Sequence, residues 1–353
     1  MVGLAKGSEW NALWGKIGLG QYKNLRSYQR INHFPGTWQL GRKDNLSRNC
    51  AKQRRAVGPS LAAKHPIVYH LPEDRSSLER EFAHMRDPVF IIKPRASSRG
   101  RGIKLITSAS QIPRSNKMLV QQYIPNPLTV DGYKCDIRVY VMVTSWDPLR
   151  VYINEDGLVR FATQKYKAGA KYYKRKHAHI TNYSTNKESK NFVESTSESQ
   201  GSKWSLGAFR RWLREVKGVD DDAVWEDMKD QCVVSRVDPY KPISSTLVSR
   251  DISDLCGCCD DIVQRTLLAT EGRQHQMYKQ AEATGKCYEV WGFDLLLDDV
   301  LVPWVIEANT SPSLVRVYTK NDEFYITNDE FFVKNDELCS LHPVRWTIES
   351  RVS

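Results

Sequence analysis

Hydrophobic and polar positions alternate most clearly between Val89 and Phe161, where short apolar runs are cut by Pro, Gly and charged residues as strands joined by loops would be. Within this region Lys134, Asp136 and Arg138 occupy every second position, so they share one face of a strand while Cys135 and Ile137 share the other. A turn is expected at Asp156-Gly157, with Arg160 ending the second arm of a hairpin. The period then changes. Leu206, Phe209 and Leu213 predict a helix over 204–217, Val224, Trp225 and Met228 another over 222–229, and a helical pattern resumes at Asp261. Nearer the start, Asp44 is a candidate N-cap for a basic helix after the Phe34-Pro35-Gly36 turn, and 64–87 reads as a connection plus a short charged helix.

Two apolar runs near the end, from Val290 to Leu297 and from Leu301 to Ile306, contain or lead into ionisable groups. Asp298 and Asp299 mark the turn between them, so arms of similar length bring Asp294 near Glu307, and Glu307 and Asn309 share a face. Carboxylates inside an apolar sheet need compensation. Either a Lys or Arg from elsewhere supplies it, or a hard cation such as Mg²⁺, which takes carboxylate and amide oxygens, is held there.

The 353 residues suffice for two or three domains, and 41% hydrophobic with 26% charged residues is a globular composition. No apolar run reaches the roughly 20 residues that span a bilayer, and the N-terminus lacks an apolar signal core, so no membrane partner and a cytoplasmic location are expected. Eight cysteines show no disulfide spacing; CGCC at 256–259 and the His177/His179 pair lack the further ligands a zinc site needs. Lys and Arg outnumber Asp and Glu by 52 to 41, a formal charge of +11. No nucleic-acid-binding signature accompanies that charge, so an acidic protein partner is expected rather than nucleic acid, with Arg42, Lys43, Lys52, Arg54 and Arg55 as one basic face that could guide it.

Phe90 to Ile106 reads as a strand ending at Lys93, a Ser/Gly/Arg loop, and a second strand. Gly100 and Gly102 allow backbone N–H groups close to an anion, and Lys93, Arg99 and Arg101 supply charge, although the loop alone could be a basic turn. Neither a Walker loop nor a Rossmann fingerprint fits, since each needs a helix after the glycines. Leu119 to Ile124 reads as a strand that breaks at Pro125, leaving backbone free to pair with an adenine edge. HITNYS, residues 179–184, offers hydroxyl and amide groups suited to phosphate or carboxylate, or equally to a capped turn.

INHFPG with GRKDNLSRN, IIKPRASSRGRGI, VQQYI, KCDIRVYVMVTSWDPLR, DGLVRFA, HITNYSTNK and GFDLLLDDVLVPWVIEANTSPSL occur here in one order. In these motifs, over roughly residues 28–315, the chain resembles the tubulin tyrosine ligase-like family, specifically its polyglutamylase branch. The resemblance implies an α+β chain with the ATP-grasp fold, nucleotide between two β-rich lobes. Its expected divisions are an N-terminal domain (1–88), a central lobe (89–160), a C-terminal lobe (161–320) with an insertion at 232–260, and a divergent tail (321–353). It implies ATP held by Lys93, Arg99, Gly100, Gln121, Gln122, Tyr123, Ile124, the Lys134-Cys135-Asp136 stretch, Thr181 and Asn182, and Mg²⁺ held by Asp294, Glu307 and Asn309. Free L-glutamate would meet Arg160, Ser184 and Lys203, with Thr181 and Tyr183 shaping the pocket; Arg99, Arg160 and Glu307 would be the catalytic set. The implied activity is ligation of glutamate, through an acyl-phosphate, to γ-carboxylates in acidic tubulin tails, tilted toward initiating side chains. The implied protein is a monomer on the microtubule cytoskeleton, with a cilium or basal body as a further setting. The competing readings are a glycine or tyrosine ligase of the same family and an inactive ATP-grasp-like module that binds microtubules. The 232–260 segment and the tail after Leu314 depart from the family pattern.

Overall fold

The computed structural model describes residues 11–13, 15, 19–95, 102–114, 117–146, 149–169, 171–195, 197–230, 263–313 and 346–347. Arg99, Gly100, Arg101, the 232–260 segment with CGCC, and all of the 321–353 tail except Trp346 and Thr347 lie outside the described residues.

The chain opens with a short parallel pair, β1 (Ala12–Leu13) and β2 (Arg30–Ile31), followed by helices α1 (Trp38–Gly41) and α2 (Lys43–Val57). Arg42, not Asp44, precedes α2; Asp44 lies in its first turn and takes two hydrogen bonds from the Arg42 guanidinium, at 3.0 and 3.1 Å. Strand β3 (Val68–His70), helix α3 (Arg75–His84), and strands β4 (Phe90–Pro94), β5 (Lys104–Ile106) and β6 (Met118–Gln122) form the next unit. These strands make an antiparallel sheet in the order β3-β6-β4-β5, packed over Leu71, Leu78, Phe90, Ile92, Ile106 and Val120.

The remaining elements are β7 (Thr129–Val130), β8 (Tyr133–Trp146), β9 (Leu149–Phe161), α4 (Lys176–His179), α5 (Tyr183–Asn186), β10 (Lys203–Ser205), α6 (Leu206–Glu215), α7 (Asp221–Asp230), α8 (Val263–Gln280), β11 (Glu289–Leu297), β12 (Pro303–Asn309) and β13 (Trp346–Thr347). The helices α6, α7 and α8 stand where the 3.6-residue pattern placed them. Ser205 caps α6, its hydroxyl accepting from the Ala208 amide at 3.0 Å. The strands form a second antiparallel sheet, β10-β9-β8-β11-β12, with β7 added to β8 and β13 to β9.

Period-two alternation sorts the residues of this sheet. Ile137, Val139, Val141 and Val143 of β8 and Trp291, Phe293, Leu295 and Leu297 of β11 enter one core with Phe34, Leu40 and Leu46 from the N-terminal segment and Phe209 and Leu267 from α6 and α8. All nine residues of β11 are buried, so the intervening Gly292, Asp294 and Leu296 are covered on the other face too.

One expectation changes. The Asp156-Gly157 signal is not a hairpin turn: β9 runs through it, and the chain reverses between Trp146 and Leu149. Val139 faces Gly157 while Val141 faces Ile153, so residues 154–156 form a bulge, held by Asn154 Oδ1 accepting from Asp156 N and Asp156 Oδ1 accepting from Gly157 N. Strand pairing joins parts of the chain on both sides of residues 88 and 160. The segment 1–88 is shared between the sheets, α1 and α2 lying against the core of the larger and β3 joining the smaller; β8 and β9, placed before 160, pair with β10 and β11, placed after it. No described helix is long and apolar enough to cross a membrane.

Candidate functional site

A cleft of about 890 Å³ opens between the two sheets. Its walls come from β4 (Ile91, Lys93), β6 and the chain beyond it (Gln121 to Ile124), β8 (Lys134, Asp136), the HITN stretch (His179 to Asn182), and the β11–β12 hairpin (Asp294, Leu296, Ile306, Glu307).

Across its floor runs a row of charges fixed by strand register. Asp136 on β8 lies opposite Arg160 on β9; Arg138 on β8 lies opposite Asp294 on β11; Asp294 lies opposite Glu307 on β12. Arg138 donates to both oxygens of Asp294, Nε at 2.8 Å and Nη2 at 2.9 Å. Arg160, 6% exposed, pairs with both oxygens of Asp136 and reaches Asp294 Oδ2 at 2.9 Å. Burial alone would raise the pKa of Asp294, but the two guanidiniums hold its carboxyl well below the usual carboxylate range. Gly292, one pleat away, allows this approach: a Cβ there would stand 3.2 Å from Arg138 Nε and 2.7 Å from Pro312 Cβ.

The carboxylate pair expected from the hairpin is therefore assembled. Asn309 Nδ2 lies 3.3 Å from Asp294 Oδ2 and 3.4 Å from Glu307 Oε1, which brings all three expected metal ligands together. Rotating this amide presents its oxygen instead, giving two carboxylates and one carbonyl, a hard donor set of the kind Mg²⁺ takes. Asp294 and Glu307 also meet cations of the chain itself, because Lys43 Nζ sits 2.8 Å from Glu307 Oε2. Of the two compensations weighed from the sequence, the structure supplies the basic side chains: Arg138 and Arg160 for Asp294, and Lys43 for Glu307. Among the described residues no cluster of three or more His, Cys, Asp or Glu side chains is arranged to hold a metal ion.

Above this row stand two buried lysines. Lys93 Nζ donates to Gln121 Oε1 at 2.5 Å, and burial lowers its pKa to about 8. Lys134 donates to the Tyr123 hydroxyl at 3.0 Å; burial lowers it to about 7 despite nearby Asp136. Two desolvated ammonium groups facing a cleft suit an anionic ligand, whose charge would restore theirs. Tyr123 Oη also meets His179 Nδ1 at 3.0 Å and His179 Nε2 meets the Tyr172 carbonyl at 3.1 Å, so both ring nitrogens have protein partners, while burial and Lys134 depress its pKa to about 4. Cys135 is not brought to the cleft: the alternation that turns Lys134 and Asp136 inward sends its thiol into the core.

A second group of polar side chains gathers where β10 joins β9. Lys203 lies opposite Arg160 in register, and its Nζ sits 3.7 Å from the centre of the Tyr183 ring. Arg160, Tyr183 and Lys203 are thus neighbours; Ser184 follows Tyr183 in α5, and Thr181 and Asn182 line the adjoining cleft.

Lys43 and Arg138 were not among the expected site residues. Arg138 shares the face of Lys134 and Asp136, a signal available from spacing alone, whereas Lys43 enters only through the packing of α2 beside β12.

Residues 22–246 and 240–328 match the description "Tubulin-tyrosine ligase family". The chain is 36% identical over 313 residues to tubulin monoglutamylase TTLL4 of Mus musculus, covering 88% of this chain and 24% of that protein. It is 34% identical over 312 residues to tubulin polyglutamylase TTLL5 of Homo sapiens, covering 87% and 22%, and 33% identical over 313 residues to tubulin polyglutamylase ttll6 of Danio rerio, covering 88% and 36%. It therefore spans between about a fifth and a little over a third of the length of these relatives. With most of its length matched by the family description, the chain belongs to the tubulin-tyrosine ligase family.

Proposed function

We propose that the chain is an ATP- and Mg²⁺-dependent ligase that joins glutamate to γ-carboxylates of glutamates in the acidic tails of tubulin, on the microtubule cytoskeleton. The observation that carries this reading is the row Arg160–Asp136 and Arg138–Asp294–Glu307, with Asn309, lying under two buried lysines in the cleft between the sheets. The names of the relatives, tubulin mono- and polyglutamylases, supply the substrate class.

In this reading Lys93 and Lys134 bind the triphosphate, the backbone from Gln121 to Ile124 meets the adenine edge, and Thr181 and Asn182 close the cleft. Arg99 and Gly100 belong to the loop that would cover the phosphates. Asp294, Glu307 and Asn309 hold a magnesium ion, which when bound supplies neutralisation of phosphate charge. Arg160, Lys203 and Ser184, beside Tyr183, hold free glutamate. Two cations side by side suit a donor with two carboxylates better than glycine or tyrosine. The acceptor γ-carboxylate displaces ADP from the γ-phosphorus, and the donor amine then displaces phosphate from the acyl-phosphate, so no protein nucleophile is used. Positioning and charge stabilisation provide the acceleration.

Purified chain, ATP, Mg²⁺ and microtubules incubated with labelled glutamate, glycine or tyrosine test this. Incorporation of glutamate alone is expected, and Asp294→Ala should abolish it. Incorporation of glycine or tyrosine instead, or of none, rejects the assignment.

A further inference from the structure

Although the basic face expected on α2 was the natural place for an acidic partner to dock, most of its cations are engaged within the chain. Arg42 holds Asp44, Lys43 meets Glu307, and Arg54 Nη2 donates to the His65 carbonyl. A denser cation cluster lies elsewhere. Lys165, Lys167, Lys171, Lys174, Arg175 and Lys176 fall within 165–176, and no acidic residue occurs from 161 to 187. All six are exposed. Among the described residues only Lys176 comes within ion-pair distance of a carboxylate, Glu188 at 3.9 Å.

The arrangement is more than a solvated run. Lys167, Lys171 and Arg175 gather around the single ring of Tyr172, at 5.6, 5.0 and 5.1 Å from its centre. Like charges so grouped repel, and one ring quadrupole offsets that repulsion only in part. The loop is also pinned to the cleft. Tyr166 and Tyr173 pack edge-on against His179 at 5.1 and 5.3 Å, His179 takes up the Tyr172 carbonyl at 3.1 Å, and the Tyr166 amide donates to the Gly132 carbonyl at 2.8 Å. The cations therefore fan out from a wall of the cleft itself.

We propose that the 165–176 loop is a docking surface for an acidic, glutamate-rich peptide, which it feeds toward the cleft. The proposal rests on the ligase reading, since that reaction needs a carboxylate acceptor, and it names where the acceptor chain lies. Single-stranded nucleic acid would require exposed ring faces for stacking, but Tyr172 is ringed by cations and Tyr166 and Tyr173 are packed on His179. Insertion into a lipid surface would require apolar side chains, and residues 167–171 contain only Lys, Ala and Gly; a purely electrostatic contact with acidic lipid is the vesicle arm of the test.

The test measures binding of a fluorescent peptide of ten glutamates to the full chain without ATP, across a salt series. K171E/K174E is compared with K52E/R55E, a matched charge change on exposed positions of α2. K171E/K174E should weaken binding about tenfold or more and flatten the salt dependence, while K52E/R55E should weaken it less than about threefold. Thermal melting and binding of a fluorescent ATP analogue should be unchanged in both variants. Equal losses in the two variants, or no loss in K171E/K174E, would overturn the proposal, as would tighter binding of a single-stranded RNA or of phosphatidylserine vesicles. Because the readout is binding without turnover, a chain that ligates glutamate but fails here refutes the docking surface alone. A chain that binds through this loop yet incorporates no amino acid refutes the ligase reading instead.

Discussion

Arg138 shows how one side chain can serve both oxygens of a buried carboxylate. Its guanidinium satisfies both oxygens of Asp294, a carboxylate only 2% exposed, in a bidentate geometry that lysine cannot reproduce. Arg138→Ala removes one partner of a buried pair and should cost about 3 kcal/mol, the low end for such a loss, because Arg160 still contacts Asp294. Urea denaturation measures this, and Arg138→Lys should recover less than half. Lys134 and Lys93 give a pH signature. Free, they lose protons as pH rises through about 7 and about 8; a bound triphosphate raises both values, so binding takes protons up. Nucleotide affinity should be highest below pH 7 and fall as pH climbs through 7 to 9, by up to about tenfold per unit for each proton taken up. Calorimetry at pH 8 in buffers of different ionisation enthalpy should report net proton uptake; an uptake of zero contradicts this picture of the two lysines.

At the scale of elements, the site depends on three antiparallel registers across β9, β8, β11 and β12. A one-residue slip of β11 against β8 would turn Asp294 into the core and Leu295 into the cleft. The bulge at 154–156 lets β9 place Gly157 against Val139, where a Cβ on Gly157 would lie 2.5 Å from the Arg138 carbonyl oxygen. Gly292 has the same role on β11. Gly292→Ala should therefore cost about 1–3 kcal/mol through crowding of Pro312 and Arg138. In a double-mutant cycle with Arg138→Ala the two losses should add to less than their sum, because the truncated arginine no longer obstructs the new methyl. Full additivity in thermal melts would show that the crowding lies elsewhere.

At the scale of the molecule, the N-terminal segment is tied to the larger sheet by a buried polar junction. Glu289, fully buried at the start of β11, accepts from the Phe34 amide at 3.3 Å, meets His33 Nδ1 at 2.8 Å and takes the Thr37 hydroxyl. Glu289→Ala leaves those groups without their partner and should cost about 2–4 kcal/mol. It should also loosen α1 and α2, so that Lys43 engages Glu307 less; hydrogen exchange should rise across residues 33–57 more than in α6. The chain's own residues announced a good deal of this. Period-two spacing put Lys134, Asp136 and Arg138 on one face and Cys135 on the other, the 3.6-residue period placed α6 and α7, and the turn at Asp298-Asp299 set Asp294 against Glu307. These are local consequences of backbone geometry, and a sequence carries them directly. What the sequence left open was non-local: that Arg138 rather than solvent meets Asp294, that Lys43 crosses from α2 to Glu307, that Asp156-Gly157 is a bulge, and that Arg160 and Lys203 are neighbours. Each depends on which strand edges pair and in what register, and that choice is made by burying Trp291, Phe293 and their partners together in one core, which only the folded chain can do.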